Sequence, residues 1–117
     1  MGLFSNLFKK EVEQKKEEKI VEYEYIITNT EQKELKKIYN TDFSIVDIYL
    51  RPYKDNTAIK VLKLNNDNII GDIPSNKVSE VLKLDFRTGQ IYVDTGIDDN
   101  GKQYFRGTVS FKKRIKI

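Results

Sequence analysis

Tyr104-Phe105-Arg106 lies near the start of a run, residues 102–117, that holds Lys102, Arg106, Lys112, Lys113, Arg114 and Lys116 and no acid, a net charge of +6. Strand alternation would place Tyr104, Arg106, Thr108, Ser110 and Lys112 on one face, with Phe105, Gly107, Val109 and Phe111 on the other. An aromatic ring and a guanidinium on one exposed face suit stacking and phosphate neutralisation, and a basic end on a near-neutral body suits a polyanion. The plainer reading is a solvated last strand with a soluble tail. Asp98-Asp99-Asn100 and Glu17-Glu18 set acids side by side, as acid–base or calcium chemistry would require. Both lie in hydrophilic turn or linker sequence, and the first lacks the twelve-residue spacing of an EF-hand loop, so an ordinary hairpin is expected there.

The elements that must position these residues belong to a chain of 117 residues, enough for one domain, with 38% hydrophobic and 33% charged residues. There is no cysteine and no histidine, which removes the usual zinc ligands and the commonest general base. No apolar run approaches the roughly 20 residues of a membrane span. The expectation is a cytoplasmic, non-catalytic domain with no metal, no cofactor and no small-molecule substrate. Residues 1–19 read as a charged amphipathic lead-in or linker: Leu3, Phe4, Leu7 and Phe8 share a helical face, and mixed charge follows. Residues 1–10 have the character for contact with a membrane surface or a partner, with a frayed lead-in as the plainer alternative. Residues 20–117 carry the folded domain.

From Ile20 the pattern is β, with Val21, Tyr23 and Tyr25 alternating inward. Thr28-Asn29-Thr30-Glu31 has the form of a capping box before a short helix buried through Leu35 and Ile38. The next strand, FSIVDIYLR, is expected to turn Phe43, Ile45, Ile48 and Leu50 inward and to end its ladder at Pro52. Asp55 in Lys54-Asp55-Asn56-Thr57 suits an Asx turn. A strand over Ala58–Leu64 then faces Ile59, Val61 and Leu64 to the core. Asn65-Asn66-Asp67-Asn68 marks a hairpin, and Gly71 a bulge or close backbone contact. Ser75 stands as N-cap of a helix buried through Val78, Val81 and Leu82. Two last strands, around QIYVDTG and YFRGTVSFK, are joined through Asp98-Asp99-Asn100-Gly101. Six short strands and two short helices favour a mainly β fold closed into a small barrel, which removes exposed edges.

The string Tyr53…Asp55-Asn56-Thr57-Ala58-Ile59-Lys60-Val61, then Ile70-Gly71-Asp72-Ile73-Pro74 and a helix, with Glu31-Gln32 opening the earlier helix, resembles the HIRAN domain family. The likeness covers about residues 20–113 and suggests a stand-alone bacterial or phage-type member. It implies an OB-like six-stranded β-barrel with two short helices and a role in binding single-stranded DNA or DNA 3′ ends. A helicase or repair protein would be a separate partner, since the chain has no ATPase motif. Site residues implied by position are Asp55 as acceptor for a terminal hydroxyl and Tyr53 and Phe105 (or Tyr104) as stacking aromatics. Lys54 stands where the family's first aromatic usually falls, and Lys77 is the nearest replacement for a basic residue after Pro74. Face alternation assigns Phe105 to the core and makes Tyr104 with Arg106 the better stacking and phosphate pair.

Departures from the family pattern are Glu31 where a phosphate-contacting Arg is common, Asp72 after Gly71, and Ser75 after Pro74. They motivate an alternative: a protein-interaction module that has lost DNA binding. Convergence of Tyr53, Asp55, Tyr104 and Arg106 on one exposed groove would favour the first reading. Preference between DNA and RNA is open.

Overall fold

The computed structural model describes residues 18–116, so residues 1–17 of the amphipathic lead-in expected over residues 1–19 lie outside the described residues, and its last two, Glu18 and Lys19, belong to the first strand. β1 spans Glu18–Ile26, α1 Gln32–Tyr39, β2 Ile45–Tyr53, β3 Ala58–Lys63 and β4 Ile69–Asp72. α2 spans Val78–Leu84, β5 Thr88–Ile97 and β6 Gln103–Lys116. β1 starts two residues before the pattern change at Ile20, because Glu18 and Lys19 already pair with Lys116 and Ile115. Among the described residues no helix is long and apolar enough to cross a membrane.

Among the described residues the fold is mainly β, with six strands in one antiparallel sheet ordered β1-β6-β5-β2-β3-β4 and two short α-helices. The sheet is not closed into the barrel that the strand count favoured. β4 meets the segment just after β1 at an isolated bridge, Thr28 with Asp72, where two backbone hydrogen bonds of 2.9 and 2.8 Å are exchanged. β4 has only four residues, and β1 is laddered to β6 as far as Ile26. Little strand is left with which to close.

The buried face follows the alternation. Tyr25 and Ile27 on the first segment, Ile48, Ile59, Val61, Ile70, Ile91, Val93, Val109 and Phe111 form the core with Leu35 and Ile38 of α1. α1 packs on β4, β5 and β6. The stripe Val78, Val81 and Leu82 seats α2, and the Tyr25 hydroxyl donates to Glu80 at 2.8 Å. Phe86 stacks on Phe111 with ring centroids 4.8 Å apart and meets Tyr23 at 5.3 Å.

Several local expectations are overridden by pairing. No capping box forms: α1 begins at Gln32 behind Glu31, without a side-chain cap, because the two amides the box would use are taken elsewhere, Thr28 N by Asp72 O and Glu31 N by Ile70 O. Ser75 starts a short 3₁₀ turn, Ser75–Lys77, and α2 likewise lacks a side-chain cap. Phe43 and Ile45 face outward. Phe43 is 88% exposed in a left-handed conformation (φ 63°), and the inward set of β2 is Val46, Ile48 and Leu50. A bulge shifts the β3–β4 register at Val61/Leu62, and Leu62 rather than Leu64 is buried. The close contact anticipated at Gly71 is present: a Cβ there would lie 2.8 Å from Thr28 O.

Candidate nucleic-acid interface

Tyr53 ends β2 opposite Ala58, and the turn between them holds three successive left-handed residues, Lys54, Asp55 and Asn56 (φ 52°, 53° and 64°). Thr57 closes it by donating to Lys54 O from both its amide (3.1 Å) and its hydroxyl (2.6 Å). The Asx turn expected at Asp55 is therefore absent; no described amide donates to this exposed carboxylate. That geometry occurs at the other two hairpins, where Asn66 Oδ1 accepts from the Asn68 amide at 3.0 Å and Asp98 Oδ1 accepts from the amides of Asn100 and Lys102, each at 2.9 Å. The difference is where the chain reverses. At Lys54–Asn56 consecutive positive φ angles make the turn without a side chain, a conformation that the short polar Asp55 and Asn56 tolerate better than Lys54 does.

The Tyr53 ring is flanked by cations, with Lys60 Nζ 4.5 Å and Lys54 Nζ 5.5 Å from its centroid. Its hydroxyl donates to Asp72 Oδ1 at 3.4 Å, and Asn29 Nδ2 donates to Asp72 Oδ2 at 3.0 Å. A cleft of about 360 Å³ lies beside the ring, between Asn29, Thr57, Pro74 and Asn76. Lys77 is exposed in the 3₁₀ turn, and its neighbours Asn76 and Val78, not Lys77 itself, line this cleft.

On β6 the alternation holds. Phe105 is buried against Tyr39 with centroids 5.5 Å apart, so it has no face to offer a base, whereas Tyr104 is 43% exposed. Tyr104 lies across Gly96 on β5, its hydroxyl 2.6 Å and its nearest ring carbons 2.7 and 2.9 Å from where a Cβ at Gly96 would stand. Glycine is therefore what lets the ring lie down on the sheet. Arg106 stands opposite Asp94 and donates to both carboxylate oxygens, from Nε at 3.1 Å and from an Nη at 2.5 Å. That bond, and then the charge of the same carboxylate, hold the guanidinium pKa above its ordinary value.

Beside Tyr104 is a second cleft, about 370 Å³, lined by Lys33 and Lys36 from α1, Lys102 and Asp98 from the last hairpin, and Gln32. Gln32 fixes α1 to β6. Its Oε1 accepts from Phe105 N at 2.8 Å, and its Nε2 donates to Phe105 O at 2.9 Å, as a neighbouring strand would. Thus Tyr53 lines one cleft, with Lys54 and Asp55 in the turn that follows it, and Tyr104 lines the other, with Arg106 two residues along β6. Neither of these clefts contains both tyrosines, so neither is the single groove expected from the sequence.

Charge is distributed otherwise than the linear count suggests. The basic end of β6 is matched by acids on β1, with Glu18 opposite Lys116, Glu22 opposite Lys112, and Glu18 3.9 Å from Arg114. A wider cleft of about 730 Å³ near β4 is lined by Glu31, Glu34, Asp67 and Asp72 against Lys60. Beneath it, Lys63 is buried with its Nζ 2.6 Å from Glu34 Oε2. Glu34 Oε2 has no well-angled hydrogen bond, and this short ion contact is what satisfies it. The Lys63 bond, outweighing desolvation, holds the Glu34 carboxyl below its ordinary pKa. An acidic cleft of this kind repels phosphate. The lysine-lined cleft at Tyr104 attracts it.

Two residues at the Tyr104 cleft and its face escaped the sequence reading. Gln32 was read as part of a motif and not as a tether, and nothing local reveals its partner. Tyr92, 51% exposed, had a legible signal: it is the aromatic on the polar phase of Ile91-Tyr92-Val93. Comparison with protein-family models, curated proteins and solved structures finds no match for this chain.

Proposed function

We propose that this domain is a non-catalytic module that binds single-stranded nucleic acid, single-stranded DNA above all, through the outer face at Tyr104. The observation that carries the reading is one half-exposed tyrosine laid flat over Gly96 beside three lysines, Lys33, Lys36 and Lys102. Ring stacking with backbone neutralisation is how sequence-tolerant single-strand binding works. The resemblance to HIRAN domains supports the same reading, and we take the sheet, bridged at Thr28–Asp72, as an incompletely closed OB-like barrel of that type. Tyr53 with Lys54 and Lys60 is a second aromatic and cationic contact, and Asp55 at its exposed turn is the acceptor for a 3′ hydroxyl.

The test is fluorescence anisotropy of a labelled oligo-dT across a salt series. Three lysine–phosphate contacts give a log–log slope of about −2, from roughly −0.7 per contact on single strands. No binding, or a flat slope, refutes the reading. Comparing 3′-hydroxyl with 3′-phosphate ends tests the Asp55 role separately; equal affinity leaves Asp55 as a turn residue. One observation favours the alternative of a protein-interaction module: Ile26, Tyr92 and Ile45 are exposed in one lateral row of the outer face. Under that alternative the salt series shows no oligonucleotide binding.

A further inference from the structure

We infer that Arg106 serves as a flat stacking surface between Tyr104 and Tyr92, held in place by Asp94, and not as a phosphate-binding cation. This rests on the nucleic-acid reading above and gives that face a third plane. In the β5–β6 register Gly96 faces Tyr104, Asp94 faces Arg106 and Tyr92 faces Thr108. Tyr104, the Arg106–Asp94 pair and Tyr92 therefore occupy three successive rows of the outer face, spaced roughly 7 Å apart by two residues of strand rise. Both tyrosines lie close enough to act on the charge of the guanidinium.

The Nε and Nη edge of Arg106, the fork that would grip two phosphate oxygens, is already occupied by Asp94. The pair is also electrically neutral, so it offers a polyanion little net attraction. What remains available is the delocalised plane, half exposed at 51% of the side chain, and guanidinium planes stack on bases. Asp94 is then a positioning residue. A single strand would lay successive bases on Tyr104, Arg106 and Tyr92, while Lys33, Lys36 and Lys102 neutralise its backbone at the Tyr104 end.

The two roles of Arg106 predict opposite results for one substitution. Asp94→Asn weakens the hold on the guanidinium. If Arg106 stacks, oligo-dT binds several-fold more weakly even though the variant has lost a negative charge from this face. If Arg106 is a phosphate cation suppressed by Asp94, the same variant binds more tightly and its slope steepens by about 0.7; that result overturns the inference. Arg106→Lys keeps the charge and loses the plane, so affinity falls about 5-fold or more with the slope unchanged; wild-type affinity in this variant also overturns it. Tyr92→Ala should lose a similar factor, and an unaffected Tyr92→Ala removes the third plane. All three sites are on the exposed face, and unchanged thermal melts verify folding. A wild-type chain that binds no oligo-dT at low salt ends the nucleic-acid reading and this inference together, whereas a binding wild type with a tighter Asp94→Asn ends only this one.

Discussion

Replacing Gln32 by glutamate exchanges one nitrogen for oxygen at the point where α1 is tied to β6. In the native contact Oε1 accepts from Phe105 N and Nε2 donates to both Phe105 O (2.9 Å) and Thr30 Oγ1 (2.9 Å). A glutamate keeps the acceptor. Its second oxygen, when ionised, faces the Phe105 carbonyl with no proton between them. The Thr30 hydroxyl can rotate to donate, but the carbonyl cannot. A lost bond of this kind costs about 0.5–1.5 kcal/mol, and exposure of Gln32 lets water soften the oxygen–oxygen repulsion, so we expect about 1 kcal/mol. For a domain of this size that lowers Tm at neutral pH by roughly 4–8 °C. Once protonated, the introduced carboxyl can donate to Phe105 O again, which raises its folded pKa above the ordinary carboxyl value. The sign follows: the variant approaches wild type below the unfolded carboxyl pKa and falls behind as pH rises through the higher folded one. Urea unfolding of both proteins at several pH values, taken as a difference, cancels the carboxylates they share. A gap that is constant with pH, or absent, would refute the tether and its assigned donor and acceptor.

Three further outcomes are expected. Tyr104→Ala should weaken oligo-dT binding by about 5-fold or more, the scale of one base–aromatic stack, with little change in the urea midpoint because the ring is half exposed; unchanged anisotropy would move the site elsewhere. Glu34 is held below its ordinary pKa by Lys63, so the stability from this pair is present above the unfolded carboxyl pKa and lost as pH falls through the lower folded value. Glu34→Gln should therefore be less stable by about 1–3 kcal/mol at neutral pH, as for a buried charge left poorly paired, and should show a flatter acid limb; parallel pH profiles would contradict this. Gly71→Ala drives a Cβ to 2.8 Å from Thr28 O and should destabilise by about 1–3 kcal/mol, as overpacking does. Faster hydrogen exchange at the Thr28 and Asp72 amides is the local readout, and unaltered protection there would show that the bridge tolerates the methyl.

What the sequence determined by itself was local. Alternation of apolar residues placed the strands and separated Tyr104 and Arg106 from Phe105, because successive side chains of a strand must point to opposite faces. Turn formers marked the hairpins at Asn65–Asn68 and Asp98–Gly101, because φ and ψ preferences are properties of single residues. Leu35 and Ile38 revealed the buried stripe of α1 in the same way. The tertiary structure decided everything that depends on which strands are neighbours. Thr28 could not cap α1 once Asp72 O and Ile70 O had claimed the Thr28 and Glu31 amides, and a β4 of four residues left the sheet unclosed. Part of the basic charge of β6 met glutamates on β1, some ninety residues away in the chain, and Arg106 met Asp94 only through the β5–β6 register. Register is set by the sum of many long-range contacts, so no short stretch carries it. For that reason the residue types of the interface were legible in sequence, while the division into two clefts was not.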